Sequence, residues 1–183
     1  MITPKEFVSK WSAIENEKLL KFNSESLNHL NIDNQSKIFL IEAGLPASAS
    51  PFLEFEVIYG KAIPTASEKW GIDNKYSIYK CIGSNGSGDP ICINEINGNI
   101  IFLNHDDDFK EVLINSSIFQ LAESLLAYAL LAVETINENG EEAFLDNSIP
   151  KRLKKWIADE LKRIDEVAVN KNCFWGIELS NLE

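Results

Sequence analysis

The chain has 183 residues, 45% hydrophobic and 25% charged, enough to bury a core without a disulfide or metal staple. Its formal net charge of −11 at pH 7 disfavours direct contact with nucleic-acid phosphates and anionic lipid surfaces. The N-terminus lacks an apolar core of signal-peptide length. The longest apolar stretch, Leu125–Val133, is well short of the ~20 residues that cross a bilayer, so a cytoplasmic protein is expected.

In chain order, residues 4–21 are expected to be helical. Thr3 caps, Pro4 takes the first helical position, Glu6 completes a capping box, and Phe7, Trp11 and Ile14 form the apolar stripe. Short helices are expected over 24–30 and 35–42, the second closed by Gly44 in a left-handed conformation. The period then changes to two. Residues 52–58 read as a strand with Leu53, Phe55 and Val57 on one face. Further strands are expected over 76–82, 90–94 and 99–103, the last two joined through Asn97-Gly98, with positive φ at both turn positions.

Ser116 or Ser117 caps a long helix whose core face runs from Ile118 and Leu121 to Leu130 and Val133. Ile149-Pro150 opens a last helix to about Val169, with Leu153, Trp156, Ile157, Leu161 and Ile164 buried. Lys151, Arg152, Lys154 and Lys155 crowd its first turns against the helix dipole, and the acidic segment 134–146 is available to offset them. Helices, then strands, then helices make an α+β fold: a mostly antiparallel sheet of four to six strands flanked by N-terminal and C-terminal helices.

The charge is unevenly placed. Between Cys81 and Pro150 one basic residue, Lys110, stands against twelve acids, while the rest of the chain is balanced. A field of this sign attracts a basic protein and speeds association roughly 10–1000-fold at low salt. The candidate partner contacts are Asp89, Asp106, Asp107, Asp108, Glu141 and Glu142.

Catalytic, cofactor and metal sites are not expected. The two histidines, His29 and His105, stand in no metal-ligand pattern, and no Cys-x-x-Cys or Gly-x-Ser-x-Gly occurs. Cys81, Cys92 and Cys173 read as free thiols, with Cys81 and Cys92 on neighbouring strands. His105-Asp106-Asp107-Asp108 lacks EF-hand spacing and reads as a solvated turn. The stretch Gly83-Ser84-Asn85-Gly86-Ser87-Gly88-Asp89-Pro90 has amides for a phosphate, but it lacks the P-loop ending and leads into a strand. A small phosphate-binding enzyme would need a pocket beside it.

Taken in order, Phe39-Leu40-Ile41-Glu42-Ala43-Gly44-Leu45-Pro46, the stretch Ile82–Ile93 around Gly86-Ser87-Gly88-Asp89-Pro90, Ile101–Asp106, and Asn115-Ser116-Ser117 before a long helix resemble the SUKH superfamily. That group includes Smi/Knr-like cell-wall regulators of fungi and bacterial toxin-immunity proteins. The resemblance covers about residues 4–135, with 136–183 as a C-terminal helical extension of one domain. It implies a non-enzymatic, protein-binding role. Gly83, Gly86 and Gly88 would shape a turn, Asn115 and Ser116 would cap the helix, and Trp11 would be core. Neutralising a polymorphic toxin, such as a basic nuclease, is the leading expectation. A scaffold or regulator of cell-wall synthesis is the alternative.

Overall fold

The structure, a computed structural model, describes residues 1–14, 18–58, 60–144, 146 and 148–182. Helix α1 (Pro4–Ile14) starts at the expected capping box: Glu6 N donates to Thr3 Oγ1 at 3.3 Å, and Thr3 N donates to Glu6 Oε2 at 2.9 Å. Phe7 and Trp11 are fully buried. The helix is shorter than its sequence pattern suggests. Residues 15–17 lie outside the described residues, and Leu19–Leu20 form a strand, β1.

Helices α2 (Ser24–Leu27) and α3 (Asn34–Glu42) are capped by Asn23 and Asp33. Gly44 follows α3 at φ 76°. A Cβ there would lie 2.2 Å from the Leu20 carbonyl oxygen, so this close approach to β1 requires glycine. Strand β2 (Leu45–Pro46) pairs antiparallel with β1.

The main sheet is a six-stranded antiparallel meander in sequence order. Its strands are β3 (Ser48–Ala49), β4 (Leu53–Phe55), β5 (Tyr79–Asn85), β6 (Pro90–Asn94), β7 (Ile100–Asn104) and β8 (Lys110–Asn115). The expected strand 52–58 is confined to 53–55, because Phe52 has φ 58° and sits at a hairpin tip. Strand β5 starts at Tyr79 and continues to Asn85, using the first three residues of the glycine-rich stretch. Gly83 is therefore a strand residue, required because a Cβ would meet the Glu54 carbonyl oxygen at 2.0 Å. In the β6–β7 turn only Gly98 has positive φ. The Asn97 side chain instead accepts from Asn99 N at 3.0 Å, an Asx turn.

One sheet face, with Leu53, Phe55, Ile82, Ile91, Ile93 and Phe102, joins the main core. Against it pack α1, α3, α5 (Ile118–Asn139), α6 (Lys151–Ile164) and α7 (Phe174–Asn181). Ser117 caps α5, accepting from Gln120 N at 3.3 Å. By length and composition alone α5 could cross a membrane, but it runs through this core, with Leu121, Ala122, Leu125 and Leu131 fully buried. Arg152 of α6 pairs with Glu138, the expected offset of its basic first turn.

The opposite sheet face carries a smaller core of Tyr79, Cys81, Cys92, Ile101 and Leu103. It is covered by α4 (Ala66–Trp70) and the 3-10 turn Asn74–Ile78. Helix α4 has a complete capping box of Thr65 and Glu68. Cys81 and Cys92 are directly opposed across β5 and β6, with Sγ atoms 3.4 Å apart and both thiols buried. The hydrogen bond with Cys81, with burial, pushes the Cys92 thiol well above its ordinary range.

Candidate functional site

In an antiparallel meander, alternate turns emerge at the same sheet end. Three such turns share one end here: residues 50–52 between β3 and β4, 86–89 between β5 and β6, and 105–109 between β7 and β8. Among the described residues, the non-glycine residues at positive φ are Phe52, Asp108 and Phe109, all in these turns. Non-glycine residues in the left-handed region are strained and concentrate where the surrounding structure over-determines them, often at functional sites.

Asp89 holds the rim together. It is 4% exposed. Asn85 Nδ2 donates to its Oδ2 at 2.9 Å, and His105 N donates to Oδ1 at 2.9 Å. His105 Nδ1 lies 2.5 Å from the same Oδ1. Asp89 is therefore withdrawn from the expected partner contacts: its carboxylate is spent inside the rim, fastening the 105–109 turn to the glycine-rich turn. Tyr76 Oη fastens the far side, donating to the Asp108 carbonyl oxygen at 2.8 Å.

Asp106, Asp107 and Asp108 are exposed on that turn, the first two with side chains 85% and 61% accessible. Asp106 lies 3.4 Å from His105 Nε2, and Asp107 lies 3.4 Å from Lys110 Nζ. Glu141 and Glu142 are exposed on a separate 3-10 turn after α5, and no hydrogen bond or ion pair among the described residues joins them to the rim. The acidic segment is thus not one face. Glu95 pairs with Lys80 at 3.8 Å, Glu123 lies 3.7 Å from Arg163, and Glu111 accepts from Tyr79 Oη. That bond and burial raise the Tyr79 phenol above its ordinary range, burial being the larger cause.

The 86–89 turn is not a free phosphate cradle. Ser87 N and Asp89 N both donate to Asn85 Oδ1, at 3.0 and 2.9 Å, and Gly88 N donates to the Asn85 carbonyl oxygen at 2.9 Å. A cleft of about 360 Å³ does open beside the turn, lined by Pro51, Phe52, Asn85, Gly86, Ser87, Phe174 and Glu178. Its one ionisable side chain is acidic, which opposes an anion.

Two members of this cleft carry no contact motif in the sequence. Phe52 is 80% exposed. Its exposure was foreshadowed by alternation, since placing Leu53, Phe55 and Val57 inward turns Phe52 outward. Glu178 carried no signal, because it comes from α7, far along the chain. Burial raises its carboxyl above the ordinary range.

A larger cleft of about 550 Å³ lies between α1, α5 and α6. Its charges are matched internally: Arg163 Nη2 donates to Glu160 Oε1 at 2.7 Å and lies 3.7 Å from Glu123.

The family model described as SUKH-4 immunity protein matches residues 8–180. The chain belongs to the SUKH-4 immunity protein family. Neither the curated proteins nor the solved structures contain a significant match. As a SUKH-4 immunity protein the chain has a role in toxin immunity, and its family implies a toxin protein as partner. The match reaches well beyond residue 135 and takes in α6, which lines the larger cleft, and nearly all of α7, which lines the cleft beside the glycine-rich turn.

Proposed function

We propose that this SUKH-4 immunity protein acts in the cytoplasm by binding a toxin domain with a basic surface and blocking it, without catalysing a reaction itself. A nuclease is the toxin class that fits, because a surface built to hold phosphates is basic. The observation that carries this reading is the exposed Asp106-Asp107-Asp108 turn, held from beneath by Asp89 and from the side by Tyr76. A net charge of −11 extends its attraction outward.

The test begins with capture of the partner from the native cell and inspection of the adjacent reading frames. Association rates of that partner are then compared for the native chain and the triple variant Asp106→Asn, Asp107→Asn, Asp108→Asn. The variant is expected to associate about tenfold more slowly at low salt, with a flatter salt dependence. The pair Glu141→Gln, Glu142→Gln measures what the second turn adds. A captured partner without a basic surface, or unchanged association by the triple variant, overturns the reading.

A further inference from the structure

The cleft at the corner of the rim combines three features that fit one kind of occupant. Phe52 presents a nearly free aromatic ring from a strained backbone position. Gly86 leaves room beside it, since a Cβ there would come within 2.9 Å of Phe52 Cβ. Glu178 adds a single carboxylate to the lining, to which α7 also contributes the apolar Phe174. No basic side chain lines the cleft among the described residues, and Glu178 has no hydrogen bond or ion pair among them.

We propose that this cleft receives one arginine or lysine side chain of the toxin, its cation against Glu178 and its stem along the Phe52 ring. The proposal rests on the reading that the partner is basic, and it names where that basicity is read. A neutral apolar group would bury the carboxylate further without compensating it, at a desolvation cost. A phosphate would meet like charge. A divalent cation would find one carboxylate where several oxygen ligands are needed. A cationic side chain answers both groups, through charge-assisted hydrogen bonding to Glu178 and cation–π contact with Phe52. Arginine answers them better, because its planar fork stacks and bonds at once. Burial already makes the Glu178 charge costly in the free protein, so a cation gains by relieving it.

The cleft is continuous with the acidic turn through the Asn85–Asp89–His105 hydrogen bonds. One partner surface can therefore meet both. The turn sets the encounter rate, and the cleft sets how long the complex lasts.

The experiment uses the full, isotopically labelled chain titrated with N-acetyl-arginine amide, with N-acetyl-citrulline amide as the neutral control. Saturable shifts confined to residues around Phe52, Gly86 and Glu178 are expected for the arginine probe and not for citrulline. Glu178→Gln should weaken the probe about tenfold, and Phe52→Ala should weaken it several-fold. The Asp106→Asn, Asp107→Asn, Asp108→Asn variant should bind it as the native chain does. Shifts spread evenly over the acidic turns, no saturation, or unchanged binding by folded Glu178→Gln would overturn the proposal. These readouts need no toxin, so they fail independently of the toxin-binding reading. A toxin captured equally well and released equally slowly by Glu178→Gln would sink the cleft alone.

Discussion

The indole Nε1–H of Trp175 donates to Asn115 Oδ1 at 2.9 Å, and both residues are completely buried. Asn115 Nδ2 donates in turn to Ser124 Oγ at 3.2 Å and to Asp165 Oδ2 at 3.3 Å. Ser116 N and Oγ also donate to Asp165, at 2.7 and 3.1 Å. The Asn115-Ser116-Ser117 motif therefore divides its labour: Ser117 caps α5, while Asn115 and Ser116 bind the C-terminal part of the chain to the end of β8. Through Trp175 this network also fixes α7, which carries Glu178 into the rim cleft.

Trp175→Phe removes one donor and leaves Asn115 Oδ1 buried and unpaired. The expected loss is about 1–3 kcal/mol of stability, beyond the small change in packed volume. Urea unfolding checks it, and a midpoint within error of the native chain would contradict it. Asn115→Ala is expected to cost more, since it strands the indole N–H and removes a donor to both Ser124 and Asp165.

Thr135 of α5 offers the opposite prediction. Its side chain is fully buried, and Oγ1 has no hydrogen-bond partner among the described residues. Thr135→Val keeps the shape and removes the unsatisfied hydroxyl, so stability should rise by about 1 kcal/mol. Thermal unfolding of the two proteins decides the sign, and a destabilised variant would mean that the hydroxyl is satisfied.

The elements that sequence makes legible are those with a local chemical signature. Thr3 and Glu6 announce α1, Ser117 announces α5, and alternating Leu53 and Phe55 announce the inner sheet face. Strand β8 is not legible, because Lys110 and Glu111 follow a run of aspartates and read as solvated turn. Its place is set by pairing with β7, where Leu103 faces Glu111. Helix α4 does carry its capping signal, Thr65 and Glu68, but with little apolar stripe behind it. The rim was half visible. The exposure of Asp106, Asp107 and Asp108 follows from a polar turn, whereas the withdrawal of Asp89 depends on His105 arriving from another hairpin. The meeting of Phe52 with Glu178 is purely tertiary.

Phe52 is held at φ 58°, a conformation that costs a bulky residue about 1–3 kcal/mol. Phe52→Gly relieves that strain, offset by about 0.5–1 kcal/mol of backbone entropy. The glycine variant should therefore be at least as stable as the native chain, and more stable than Phe52→Ala, which retains a Cβ. Both should release the toxin partner faster, by more than about 1 kcal/mol in affinity if the ring is a hot spot. Chemical denaturation and dissociation rates measured on the same pair of variants separate the two effects. An alanine variant more stable than the glycine variant would refute the strain argument.

Glu178 should show the same conflict between stability and binding, with a pH dependence of defined sign. Burial raises its carboxyl in the folded chain, so the folded state holds its proton more tightly than the unfolded state, where the value is about 4.3. Above the raised value the charged group costs stability. As pH falls through that value the cost shrinks, and it vanishes below the unfolded value. Glu178→Gln removes the cost, so the variant should be more stable than the native chain at pH 7. Because the side chain is only partly shielded from solvent, the gain should stay below about 1 kcal/mol. The advantage should fade toward pH 4, and unfolding curves of both proteins at the two pH values measure it. A gap that widens on acidification, or a variant less stable at pH 7, would mean that the carboxylate already has a cationic partner in the free protein, and the cleft would then have nothing to offer the toxin.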